Sequence, residues 1–134
     1  MVEMVVRYKG DLRTEMTHTT SGTVVETDAP RDNEGRGERF SPTDLMTASL
    51  GACALTIMGI AAKKRRIAID GAMVRVEKHM IEAPRRVGRI VLEFTLPISL
   101  PPADRAVLER ICSECPVHMS INPDISVEAT FVYV

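Results

Sequence analysis

The eighteen residues from Leu45 to Ala62 carry no charge, and this stretch constrains the fold more than any other part of the chain. It follows Ser41, Pro42 and Asp44, an order that predicts a helix start: a capping side chain, a proline at the first helical position and an acid in the first turn. Lys63-Lys64-Arg65-Arg66 comes next, a basic flank that membrane spans also have. Because Ala, Gly, Ser and Thr keep the hydropathy modest, we predict the core helix of a soluble protein and no membrane partner.

Small residues recur along this helix and would let a second helix approach closely. They are Ala48, Ser49, Gly51, Ala52 and Gly59. The pattern predicts a helix pair, and a second copy of the chain could supply the partner.

The residues before the helix have strand patterns. Val2 to Tyr8 and Arg13 to Thr19 predict a hairpin turned at Lys9-Gly10-Asp11, and Gly22 to Thr27 continues the sheet. Ala29 to Arg39 is polar, contains glycine and carries charges of both signs, so we predict an exposed loop.

The residues after the helix alternate between strands and one further helix. Val74 to Glu77 and Ile90 to Leu96 alternate in hydropathy, as in half-buried strands. Pro101 to Ile111 predicts a second helix, and Ile125 to Val134 a last strand. The predicted order β-β-β-α-β-β-α-β is typical of an α+β fold with mostly antiparallel pairing.

Composition narrows the classes of function. The chain has 134 residues and a net charge of −1, which suits one globular domain and gives no electrostatic reason to expect nucleic acid. It has no Trp, so platforms for stacking bases are also not expected. Three cysteines are an odd number, against a secreted disulfide scaffold, and Met1 to Arg7 does not resemble a signal peptide. We therefore expect a cytoplasmic protein.

Two of the cysteines have distinctive settings. Cys115 stands directly before Pro116, which suits the cap and first residue of a short helix, where N–H groups and the helix dipole would favour a thiolate. Cys53 lies within the uncharged helix, and it would need a nearby cation to become reactive. Taken alone, a buried helical cysteine is more often packing than chemistry.

The third cysteine, Cys112, forms a C-x-x-C pair with Cys115. His118 follows, but a metal site would need a fourth ligand from His18 or His79 on distant strands, so we predict no metal. We place Cys112 on the buried side of the second helix.

Two blocks resemble those of one family. The first runs from Phe40-Ser41-Pro42-Thr43-Asp44-Leu45 through Gly51-Ala52-Cys53, and the second is Cys115-Pro116-Val117-His118-Met119-Ser120-Ile121. Both resemble the OsmC/Ohr group, the osmotically inducible protein C and organic hydroperoxide resistance proteins. The hairpin with Leu12-Arg13-Thr14-Glu15 adds to the resemblance, which covers nearly the whole chain and implies a single OsmC-like domain over residues 1–134.

The resemblance implies a thiol-dependent peroxidase that acts on organic hydroperoxides or hydrogen peroxide. Cys53 would attack the peroxide as a thiolate, Cys115 would resolve the sulfenic acid as a disulfide, and an external dithiol would restore both thiols without a cofactor. The family places an arginine beside the reactive cysteine. Arg13 is the first candidate, and Arg39 is the second.

In the best-studied members of the family a carboxylate holds this arginine in place. This chain differs from them at the position of that carboxylate. Thr43 occupies the position of their glutamate, and Asp44 follows it. Asp44 would act through an arginine or across a subunit interface, or it would simply favour the helix N-terminus; both roles stay open.

The resemblance further implies an intertwined homodimer with the central helices packed together. Two other classes of function remain: a non-catalytic binder of small apolar ligands, and a redox sensor whose disulfide alters a partner interaction.

Overall fold

The structure is a computed structural model that describes all residues, Met1–Val134. Contacts within the chain define two compact units, Met1–Met46 and Thr47–Val134. The α+β class and the predicted order of strands and main helices are confirmed. One short helix is added before the last strand.

The first unit contains an antiparallel sheet in the order β1-β2-β3. Its strands are β1 (Met4–Gly10), β2 (Arg13–His18) and β3 (Val24–Asp28). The first hairpin turns at Asp11 and Leu12, slightly later than predicted, because β1 continues through Gly10. Gly10 has a φ of 91°, a conformation that glycine adopts at little cost. The predicted loop after β3 includes one 3₁₀ turn, Arg31–Asn33.

The long helix α1 (Pro42–Lys64) begins in the first unit and continues through the second. The predicted cap is present, because Ser41 Oγ accepts the Asp44 N–H at 3.0 Å and an Asp44 carboxylate oxygen accepts the Ser41 N–H at 2.9 Å. This reciprocal pair is a capping box, which stabilises the first turn.

The second unit contains a sheet in the order β4-β5-β6. Its strands are β4 (Met73–Ile81), β5 (Arg86–Leu96) and β6 (Ser126–Tyr133). β4 and β5 pair antiparallel, in keeping with the predicted mostly antiparallel pairing, but β6 runs parallel to β5. Parallel neighbours need a crossover connection, and the helices α2 (Pro102–Ile111) and α3 (Pro116–Ser120) lie within it.

Helix α1 packs closely on β4 in the second unit. A Cβ at Gly51 would lie 2.9 Å from Val76 Cγ2 and 3.0 Å from Val74 Cγ1, so glycine permits this approach. By length and composition alone, α1 could cross a membrane. The core helix of a soluble protein can have the same length and composition. Its packing on a sheet agrees with the second alternative.

Only one side of α1 is buried in the single chain. The buried residues are Thr47, Leu50, Gly51, Ala54, Met58 and Ala62. The opposite side is exposed and carries Ser49, Ala52, Thr56 and Ile60 at helical spacing. The prediction of a helix enclosed by protein therefore requires a further partner on this side.

Candidate functional site

Two cysteines from separate elements meet in the second unit. Cys53 lies on α1 and is half-buried, whereas Cys115 is fully buried at the start of α3. The two thiols are free and neighbour one another, since the Cys53 side chain raises the pKa of Cys115. The fold thus brings together two sulfurs that are 62 positions apart in the sequence.

Cys115 is the N-cap of α3, as its position before Pro116 predicts. Its Sγ accepts the backbone N–H of His118 at 3.3 Å. We predicted that the helix start would lower the pKa of Cys115 and favour its thiolate. That prediction is wrong, because the pKa of Cys115 is raised. Burial raises the pKa of Cys115, the His118 N–H opposes that effect, and the neighbouring Cys53 raises the pKa further. Cys115 therefore favours the protonated thiol, because the loss of solvent outweighs the helix start.

Cys112 is also buried, as predicted, but it lies just beyond α2. It opens the 3₁₀ turn Cys112–Glu114, which leads directly to Cys115. Its thiol donates a hydrogen bond to the Glu109 carbonyl oxygen, with a sulfur–oxygen distance of 3.1 Å. Burial raises the pKa of Cys112, and the charge of Cys115 raises it further.

Arg13 is held by carboxylates within the first unit. Its Nε and Nη2 donate to the two Asp28 carboxylate oxygens at 2.7 and 2.8 Å, and Nη2 also reaches Glu38 at 3.2 Å. The Asp28 side chain is fully buried and also accepts the Glu38 N–H at 3.1 Å. This geometry fixes the plane of the guanidinium, as expected for a bidentate pair.

The ion pair alters the titration of both partners. The hydrogen bonds from Arg13 hold the pKa of Asp28 down to about 2, against an opposing effect of burial. The same contact raises the pKa of Arg13 above its ordinary value. Arg13 and Asp28 thus stay charged at every pH at which the protein would work.

Asp28 and Glu38 are contacts that the sequence analysis missed. The signal was the antiparallel register, since Arg13 and Asp28 are direct cross-strand partners on β2 and β3. Opposite charges at such positions attract one another. The register was not fixed by the strand patterns, so this pairing was not predicted.

The other two predicted site residues have different surroundings. Arg39 is exposed and lies 3.4 Å from a Glu26 carboxylate oxygen. Asp44 takes part in the capping box with Ser41, which is the structural role left open for it. Thr43 lies beside the same cap, with its Oγ1 3.2 Å from Ser41 Oγ.

An open depression of about 450 Å³ lies beside α3 in the second unit. Its lining is mostly apolar and includes Met119, Ile121 and Val127, together with His118 and Asn122. His118 belongs to the first turn of the helix that Cys115 caps. The depression has the volume of a small-molecule site.

Comparisons with known proteins agree on the fold. A family model described as OsmC-like protein matches residues 35–130. A solved structure from Psychrobacter arcticus, described as an osmotic stress induced and detoxification response protein, is 41% identical with a TM-score of 0.95. The alignment covers 98% of this chain and 96% of that one.

More distant structures share the fold at lower identity. An organic hydroperoxide resistance protein OsmC from Legionella pneumophila is 19% identical with a TM-score of 0.77, over 100% of this chain and 97% of that one. An organic hydroperoxide resistance protein from Elizabethkingia anophelis is 14% identical with a TM-score of 0.79, over 100% and 96%. No curated protein sequence matches the chain.

The matched family model covers most of the chain, including both cysteine blocks, and the Psychrobacter relative extends the similarity to nearly its full length. The chain belongs to the OsmC-like protein family.

Proposed function

We propose that the protein is a thiol-dependent peroxidase that reduces organic hydroperoxides, with hydrogen peroxide as a second substrate. The observation that carries the proposal is that the fold makes the free thiols of Cys53 and Cys115 neighbours, 62 positions apart in the sequence. Cys53 is the more exposed of the two and is therefore the one that a peroxide would meet first. The Legionella and Elizabethkingia proteins, which are described as organic hydroperoxide resistance proteins, support the same substrate class.

The chemistry balances over three steps. The Cys53 thiolate attacks the distal peroxide oxygen, the O–O bond breaks, and the alkoxide leaves as the alcohol after taking a proton. The Cys115 thiol then condenses with the Cys53 sulfenic acid, which forms the disulfide and releases water. An external dithiol finally reduces that disulfide by thiol exchange and is itself oxidised.

A protonated Cys115 suits the resolving role. A thiol that keeps its proton does not compete with Cys53 for peroxide, because the thiolate is the reactive form. The raised pKa of Cys115 therefore supports a division of roles between the two thiols.

Arg13 is the arginine that this proposal assigns to activating Cys53. Its bidentate ion pair with Asp28 would keep the guanidinium charged and oriented, as a positioned cation requires. Arg39 stays the second candidate for the arginine beside Cys53, because its exposed side chain is less firmly positioned than that of Arg13. Asp44 has an observed capping role, and its part in the reaction stays a prediction.

The proposal includes a single-domain, cytoplasmic homodimer. The exposed stripe of α1, formed by Ser49, Ala52, Thr56 and Ile60, offers small and apolar side chains to a second copy. In the first unit, Met4, Val6 and Tyr8 on one face of β1 are more than half exposed. Apolar residues exposed in such number favour a partner over solvent.

The test is hydroperoxide consumption with an excess of dithiol. We expect the wild type to turn over many times, Cys53→Ser to lose all activity, and Cys115→Ser to oxidise once without disulfide-based recycling. Equal multiple turnover by Cys53→Ser would refute the mechanism. A single stoichiometric oxidation of the wild type would instead indicate a redox sensor, and no consumption would indicate a ligand-binding protein.

A further inference from the structure

We propose that Cys112 is a second disulfide partner of Cys115, so that the oxidised protein passes its disulfide from Cys53–Cys115 to Cys112–Cys115. This inference rests on the proposed function, which supplies the first disulfide. After the exchange the protein holds a buried Cys112–Cys115 disulfide, and Cys53 is again a free thiol.

The 3₁₀ turn between Cys112 and Cys115 implies a spacing that a disulfide can span. Cys112 is the first residue of a 3₁₀ turn, and Cys115 is the residue that ends it. In such a turn side chains three positions apart eclipse one another, and a rise of about 2 Å per residue separates their Cα atoms by roughly 6 Å. Disulfides span Cα distances of about 4.4 to 6.8 Å, so this spacing lies within the accepted window.

Cys115 is the middle thiol of the three. Its pKa responds to the neighbouring Cys53 side chain, and its own charge raises the pKa of Cys112. Because Cys115 is fully buried, solvent does not reach its sulfur. Cys112 is 7% exposed, and its thiol would exchange its hydrogen bond to the Glu109 carbonyl for the attack on Cys115. A neighbouring thiol is therefore better placed than an external one to attack the Cys115 sulfur.

The exchange needs no further reactant. The deprotonated fraction of Cys112, which burial keeps small, attacks Cys115 Sγ, so that a new Cys112–Cys115 bond forms and the Cys53–Cys115 bond breaks. Cys53 leaves as a thiolate, and the proton lost from Cys112 balances its charge. The number of disulfides is unchanged, and Cys53 is free to meet a second peroxide before any external dithiol arrives.

The first test identifies the cysteine that remains free after one oxidation. The wild-type protein receives one equivalent of an alkyl hydroperoxide without reductant, and acid then stops further exchange. Denaturation and alkylation label the remaining thiol, which peptide mass spectrometry locates. We expect the label mostly on Cys53.

A label mostly on Cys112 would overturn the exchange and leave the peroxidase intact, because the disulfide would have stayed at Cys53–Cys115. Labels on all three cysteines would mean that no oxidation occurred, and the proposed function would fail with the inference. The wild-type protein is used throughout, so a folding defect does not confuse these outcomes.

The second test counts the peroxide consumed rapidly without reductant. The wild type should consume two equivalents per chain and finish with a Cys53 sulfenic acid that a dimedone-type reagent labels. Cys112→Ser should consume one, a twofold fall, while its hydroxyl can still donate to the Glu109 carbonyl. Ser113→Ala, a change at the exposed neighbouring position, should keep the wild-type value. Equal consumption by the wild type and Cys112→Ser would contradict the exchange.

Discussion

Arg13 and Asp28 form a two-point ion pair across neighbouring strands, with nitrogen–oxygen distances of 2.7 and 2.8 Å. The pair joins a half-buried guanidinium to a fully buried carboxylate. A carboxylate in that position needs its partner, because an unpaired buried charge is costly. The contact links the stability of the first unit to the orientation of the proposed activating arginine.

Acid should weaken this contact in a defined range of pH. The pKa of Asp28 is about 2 in the folded chain, below the value of about 3.9 expected when unfolded. The stabilisation is therefore complete above about pH 4 and is lost as the pH falls towards 2. Chemical unfolding across this range should show that the free energy of unfolding falls more steeply with falling pH for the wild type than for Asp28→Asn. The variant is already less stable at pH 7.

The matched control for that experiment is Asp11→Asn. Asp11 also lies beside an arginine, 2.6 Å from Arg36, but its side chain is 79% exposed. Exposed ion pairs contribute little to stability. In the control, the free energy of unfolding should change with pH as it does in the wild type. If it fell equally steeply in the wild type and in Asp28→Asn, Asp28 would not be the cause of the slope.

The capping box gives a separate prediction for Asp44. Ser41→Ala and Asp44→Ala should each lower the free energy of unfolding by about 1 kcal/mol, since each breaks the capping box at the start of α1. If Asp44 acts only as a cap, both variants should keep similar peroxide turnover. A fall in turnover confined to Asp44→Ala would give Asp44 a part in the reaction.

Two glycines of α1 should respond oppositely to alanine. Gly51→Ala should lower the free energy of unfolding by about 1–3 kcal/mol, because its Cβ would press on Val74 and Val76. A Cβ at Gly59 would meet no atom within 4 Å, so Gly59→Ala should stabilise the helix by about 0.4–1 kcal/mol. Thermal or denaturant unfolding measures both. The open space beside Gly59 is that within one chain, so destabilisation by Gly59→Ala would mean that the second copy in the proposed homodimer packs against Gly59 itself.

Signals carried by neighbouring residues predicted local structure well. Ser41, Pro42 and Asp44 predicted the start of α1, and Cys115 with Pro116 predicted the cap of α3. These features depend on backbone preferences within one or two turns, so the sequence contains most of what determines them.

Features that depend on distant packing were predicted less well. The pairing of Arg13 with Asp28 required the strand register, and the parallel direction of β6 depended on the path of the crossover. The pKa of Cys115 required its burial, which no local motif encodes. The resemblance suggested Cys53 and Cys115 as the reactive pair, whereas their proximity depends on the tertiary fold.

The raised pKa of Cys115 predicts slow alkylation at neutral pH. In the Cys53→Ser, Cys112→Ser variant, only Cys115 remains, and burial still favours its protonated thiol. Its alkylation rate should stay low near pH 7 and increase only at pH values above the ordinary range for a thiol, about 8.5. A fast reaction at pH 7 would show that the helix start, rather than burial, controls this sulfur.

The most direct test of the account is the disulfide formed in Cys112→Ser, where the proposed exchange is blocked. One equivalent of alkyl hydroperoxide is added without reductant, and peptide mass spectrometry follows an acid quench. The account predicts a Cys53–Cys115 disulfide with one equivalent of alcohol released. A Cys53 sulfenic acid that persists beside a free Cys115, or two thiols left unoxidised, would contradict it.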